Sequence, residues 1–108
     1  MMEQSPENLR ELAQKLTTGY KKVQEGNYEQ GKEILEPLMP IFHRSDQPNM
    51  TLLVHYGFAQ VGTGNVEGFL ETYAEVKEIS PANKREAQLK DQAKSLVNEV
   101  LEHIHSET

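Results

Sequence analysis

The four histidines are the residues of this chain with proton chemistry near neutral pH. His103 and His105 stand two apart, about 200° around a helix axis, which opposes a shared metal ion. His55 lies in a stretch without formal charge, Gln47 to Val66, and reads as a partly buried imidazole bonded to a carbonyl or a tyrosine. A small-molecule or catalytic role would require a closed pocket centred on His55, Tyr56 and Tyr73. Glutamates recur four apart at Glu29 and Glu33, at Glu67 and Glu71, and at Glu71 and Glu75. Acid–base work needs such a pair in a low-dielectric cleft, whereas on a solvated helix face it supplies solubility. Gly57, Gly62, Gly64 and Gly68 fit no dinucleotide or phosphate-loop spacing, and no strand precedes them. There is no cysteine, so thiolate chemistry and disulfides are excluded. No serine elbow or paired-histidine zinc motif occurs. The expectation is a chain with no catalytic residue, no cofactor and no metal.

The formal net charge of −6 disfavours binding to a phosphate backbone, which depends on lysine and arginine neutralising phosphates. Lys21-Lys22 and Lys84-Arg85 are diluted by acidic neighbours. The uncharged stretch holds Gln47, Asn49, Thr51, His55, Gln60, Thr63 and Asn65, too polar a set to span a bilayer. Met1 to Glu7 shows neither a basic region nor an apolar run, unlike a secretory signal. These features predict a cytoplasmic protein without nucleic-acid or membrane partners.

Five helical segments must position whatever function there is, and the fold class expected is all-α. Ser5-Pro6-Glu7 opens the first, with Leu9, Leu12, Ala13, Leu16, Tyr20 and Val23 on one face and Gly26 at its end. Asn27 is placed to cap the second, which carries Tyr28, Gly31, Ile34, Leu35 and Leu38 and continues, kinked, through Pro37 and Pro40 to Ile41-Phe42. Asn49 caps the third, which runs to Gly62 and is apolar on more than one face, as a helix between others should be. Asn65 caps the fourth, lined by Val66, Phe69, Leu70, Tyr73, Val76 and Ile79. Ser80-Pro81 repeats the opening signal and starts the last, with a stripe of Leu89, Ala93, Leu96, Val97, Val100, Leu101 and Ile104.

Gly26-Asn27-Tyr28 and Gly64-Asn65-Val66 are one phrase written twice, about 38 residues apart, as helical-repeat units would be. Aligned on these glycines, the chain resembles the tetratricopeptide repeat, a helix–turn–helix of about 34 residues. Leu53, Tyr56, Gly57, Gly64, Val66, Tyr73, Val76 and Pro81 carry the resemblance in the second unit, and Gly26, Tyr28, Gly31, Leu35 and Leu38 in the first. Two departures stand out. Phe69 occupies a position where the family has a small residue, and Lys15, Thr18 and Lys22 put the first helix off register. About four extra residues fit most easily into the Arg44–Pro48 loop. The resemblance implies one domain over 1–108, with units at about 12–43 and 50–81 and a capping helix at about 81–104.

It further implies a concave groove lined by Leu16, Tyr20 and Val23 from the first helix and Thr51, Val54, Phe58 and Val61 from the third. A groove of that composition suits a partner helix or peptide with apolar anchors. The expected function is a non-catalytic protein–protein interaction module: an adaptor, chaperone-like holder or assembly factor. Glu25, Glu29 and Glu67 at the rim would favour basic partners. The last helix could instead fold over and fill the groove. The alternative function is a structural homo-oligomer, a homodimer joined through Leu89, Leu96 and Val100 of that helix.

Overall fold

The computed structural model describes residues 6–106, with side chains from Asn8 to Ile104, so the expected Ser5 cap lies outside the described residues. α1 (Pro6–Gln24) and α2 (Tyr28–Leu35) are joined by a turn in which Gly26 adopts φ 89°. The Gly26 N–H donates to the Val23 carbonyl (3.0 Å) and the Asn27 N–H to the Lys22 carbonyl (2.8 Å), the Schellman closure that satisfies orphan carbonyls at a helix end. α4 (Met50–Gly62) and α5 (Val66–Glu78) repeat this bond for bond. Gly64 has φ 91° and donates to Val61 (3.0 Å), and Asn65 donates to Gln60 (2.7 Å). The written echo is thus a repeated backbone geometry. The caps differ, however. Asn65 accepts from the Gly68 N–H at 3.0 Å, whereas Asn27 occupies the cap position of α2 without a side-chain cap bond.

Both helix pairs run antiparallel in close contact. A Cβ on Gly19 would stand 2.5 Å from Leu35 Cδ2, and one on Gly31 would stand 2.6 Å from Val23 Cγ2. In the second pair Gly57, the counterpart of Gly19, leaves room for the Phe69 ring, which is 1% exposed. Phe69 is therefore no defect of the second unit. The small residue that lets the helices approach sits on α4, where the first pair has one on each helix. A buried hydrogen bond from Thr72 Oγ1 to Gln60 Oε1 (2.7 Å) ties the same two helices.

The second helix continues in kinked form, as its prolines predict. α2 passes through a 3-10 turn, Glu36–Leu38, into α3 (Met39–Phe42), with Pro37 and Pro40 each near the start of its segment, where a missing N–H costs least. The loop that follows is pinned by His43. Its Nδ1 accepts the Asn49 N–H (3.0 Å), which leaves the proton on Nε2 to donate to Glu75 of α5 (2.8 Å). Asn49 then caps α4 by accepting from the Leu52 N–H (3.1 Å).

α4 runs through the middle of the domain. Met50, Leu53 and Val54 join Val76 and Ala93 in one core cluster, while Leu52 and Ala59 join Val23 and Leu35 in another. A helix that buries several faces must be apolar almost all round, as the sequence shows. α6 (Lys84–Ser106) starts later than its Ser80-Pro81 signal suggests. Asn83 accepts the Glu86 N–H (2.9 Å) and the Glu86 carboxylate accepts the Ala82 N–H (2.9 Å), so the capping groups lie beyond the proline. α6 packs against α4 and α5 through Leu89 and Ala93. Lys90 Nζ donates to the Lys77 and Ile79 carbonyls (3.1 and 2.7 Å), placing a cation at the C-terminal end of α5. The fold is all-α among the described residues, apart from one isolated bridge between Arg44 and Gln47.

Candidate functional site

The expected groove is partly filled. Val54 is 1% exposed beneath Leu89 and Ala93 of α6, so it belongs to the core and offers nothing to a partner. Leu16 and Tyr20 pack against the Val23–Leu35 cluster, and Thr51 lends its carbonyl to His55. None of these lines the cleft beside α6. Val23, Phe58 and Val61 do. They border a cleft of about 670 Å³ between the C-terminal halves of α1 and α4 and the N-terminal half of α6. The final helix thus covers one part of the predicted groove and becomes a wall of what remains.

Apolar side chains from three helices form much of the cleft: Val23 of α1, Phe58 and Val61 of α4, and Leu89 and Leu96 of α6, with Tyr28 at the start of α2. The Tyr28 ring lies against Gly62, where any side chain would collide with it. The polar members are Gln24, His55, Arg85, Gln88 and Gln92. Sequence reading missed all of these except His55. Gln88 and Gln92 are one helical turn apart beside Leu89, an uncharged amide stripe in a highly charged helix. That stripe was the available signal, but its use depends on where α6 docks.

His55 is 4% exposed and fully bonded. A carbonyl oxygen only accepts, so the 2.8 Å contact between Nδ1 and the Thr51 oxygen fixes the proton on Nδ1. Nε2 then accepts from the Gln24 amide at 3.3 Å. The ring stacks on Tyr20 (centroids 4.4 Å, interplanar angle 30°) and meets the Phe58 ring edge-on at 6.4 Å. Burial pushes the His55 pKa down, the Thr51 hydrogen bond opposes this, and Arg85 adds a small downward push. Burial also pushes the Tyr20 hydroxyl up to about 12. The imidazole lines the cleft wall with both nitrogens engaged, and burial favours its neutral form.

Tyr56 and Tyr73 do not converge on His55. Tyr56 donates to Glu36 at 3.2 Å, and its pKa is raised by burial and then by that carboxylate. Tyr73 packs against the Met50 cluster. The spaced glutamates Glu29, Glu33, Glu67, Glu71 and Glu75 are exposed, as a solvated-face reading requires. Glu25, Glu29 and Glu67 are exposed too, and no carboxylate of the described residues lines the cleft. Among the described residues no group of three histidines or carboxylates stands in position to hold a metal ion. None of the described helices is long and apolar enough to cross a membrane.

A second, shallower groove of about 380 Å³ lies at the other end of α6, between Val61 and Val66 on one side and Leu96, Val100 and Ile104 on the other. Ile104 there is 46% exposed, and Leu101, which does not line the groove, is 40% exposed. No family model matches the chain, and neither a curated protein nor a solved structure matches it.

Proposed function

We propose that the chain is a non-catalytic, cytoplasmic protein–protein interaction module of tetratricopeptide-like construction. As an adaptor, chaperone-like holder or assembly factor, it takes an apolar segment of a partner into the cleft between α1, α4 and α6. The observation that carries this is the cleft itself. α6 covers Val54 but leaves Phe58, Val61 and Leu96 facing about 670 Å³ of open space, within the range of about 300–1,000 Å³ typical of binding pockets. Burying one leucine- or phenylalanine-sized anchor there contributes roughly 1.5–3 kcal/mol, so a few anchors suffice for a working affinity. The one imidazole among the described lining residues, His55, has both nitrogens engaged, and burial favours its neutral form.

The test blocks the cleft without disturbing the core. Gln92 is exposed on α6 and borders the cleft, whereas Lys94 is exposed and does not. Gln92→Trp should abolish capture of partners by the immobilised chain while Lys94→Trp retains it, with equal helical content by circular dichroism. Undiminished capture by Gln92→Trp would remove the cleft from consideration.

The alternative, a structural homo-oligomer, is favoured by the exposure of Leu101 and Ile104 beside the second groove. That feature moves the interface to the end of α6, because Leu89 is engaged with the intramolecular core and Leu96 with the cleft wall. Light scattering of the parent and of Ile104→Asp decides the matter: a dimer dissociated by the substitution supports it, and a monomeric parent ends it.

A further inference from the structure

The cleft differs in charge from the rest of the molecule. The sequence carries 17 aspartates and glutamates, yet none of those among the described residues lines it. Among the described residues its one formally charged lining side chain is Arg85, at the α6 N-terminal end, and Arg85 makes no ion pair there. Three primary amides, Gln24, Gln88 and Gln92, border the same space. Each amide presents a donor and an acceptor, and one donor of Gln24 is already given to His55.

Such amides pair with exposed peptide groups. A helical ligand has used its main-chain donors and acceptors internally and would leave the glutamines without partners, at a desolvation cost. An extended segment keeps those groups free. From Arg85 to Leu96 the α6 wall is about 16 Å long at about 1.5 Å per residue. That matches about five residues of extended chain at about 3.3 Å each.

Resting on the cleft-binding reading above, we propose that the occupant is an extended peptide segment of about five residues with an aspartate or glutamate side chain at its Arg85 end and apolar side chains toward Phe58, Val61 and Leu96. The guanidinium receives the carboxylate in a charge-assisted pair, the glutamines take the main chain, and the apolar floor takes the anchors. This reverses the preference for basic partners suggested by the exposed glutamates. Those glutamates do not line the cleft, whereas Arg85, itself exposed, supplies the charge at its end.

The probe is a displayed library of random twelve-residue peptides, flanked on both sides by Gly-Ser linkers so that no free terminus reaches the cleft. It is selected on the full chain and followed by anisotropy with the selected peptide in amidated form. Expected are sequences with Asp or Glu a few positions from apolar residues. Affinity should be lost with Gln92→Trp and reduced by about tenfold or more with Arg85→Glu, and selection on Arg85→Glu should yield Lys or Arg at the acidic position. Peptides that need the open cleft but lack an acidic position, or that bind Arg85→Glu equally well, overturn the carboxylate inference and leave the cleft reading standing. A requirement for a free terminal carboxylate, or for helical peptides, also overturns it. Selection of nothing, or of peptides indifferent to Gln92→Trp, overturns both.

Discussion

Gly31→Ala probes the closest contact between α1 and α2. In a helix interior alanine is favoured over glycine by about 1 kcal/mol. Against this, the new Cβ would lie 2.6 Å from Val23 Cγ2 and 3.3 Å from the Val23 backbone nitrogen. Comfortable carbon–carbon separations are about 3.5–4.0 Å, so about 1 Å must be found. Val23 cannot supply it by rotating, because a β-branched residue has one strongly preferred rotamer in a helix. It is also 4% exposed among Leu35, Leu52 and Ala59. The helices must part, and overpacking of this kind costs about 1–3 kcal/mol. The expected net loss is about 1 kcal/mol, read from urea unfolding followed by circular dichroism. Val23→Ala alone should cost about 1.5–2.5 kcal/mol through lost methyl burial. Adding Gly31→Ala to it should cost nothing more and recover up to about 1 kcal/mol of helix propensity, because the offending methyl is gone, giving a coupling of about 1–2 kcal/mol. A Gly31→Ala protein as stable as the parent, or strict additivity in the double variant, refutes the reasoning.

Three further outcomes follow from particular bonds. Asn65→Ala should cost about 1 kcal/mol and Asn27→Ala distinctly less, since only Asn65 accepts a cap bond; equal losses in chemical denaturation would contradict this. The His55 pKa is lowered in the folded state, so below its ordinary value of about 6.5 the unfolded chain takes up the proton first. The stability due to His55 is therefore full above about pH 6.5 and is lost as pH falls from there through the folded value. The difference between parent and His55→Gln, measured by thermal melts across that window, should shrink toward acid pH. Lys90→Met keeps the aliphatic stem but removes both bonds to the end of α5, and should lower stability by about 1 kcal/mol. An unchanged melting temperature would show that the cation contributes nothing at that end.

Local chemistry in the sequence was enough for the helices, because their ends are local events. Gly26 and Gly64, the caps Asn49 and Asn65, and the proline-kinked second helix all depend on residues within a turn of one another. The start of α6 was misplaced since Ser80-Pro81 competes with Asn83 and Glu86, and only the hydrogen bonds decide between them. Gly19 was overlooked. Its role appears only when Leu35 is brought opposite it, although it stands in the same relation to Gly26 as Gly57 does to Gly64. Phe69 looked like a departure for the same reason, since the compensating glycine is on the facing helix. Three of the residues expected in the groove border the cleft. Phe58, Val61 and Val23 were expected from the repeat resemblance, but Arg85, Gln88 and Gln92 enter only through the long-range docking of α6. No periodicity within α6 encodes that docking.

Because α4 supplies side chains to both core clusters, neither half of the domain owns a complete interior. A fragment ending in the loop after Phe42 would expose the face of Val23 and Leu35 that Leu52 and Ala59 cover. Repeat arrays can melt unit by unit, but here the shared helix makes the two pairs a single cooperative unit. Calorimetric and van't Hoff enthalpies should then agree. A ligand held in a cleft walled by α1, α4 and α6 therefore protects the whole chain against unfolding. At a free concentration one hundred times its dissociation constant, that protection amounts to about 2.7 kcal/mol.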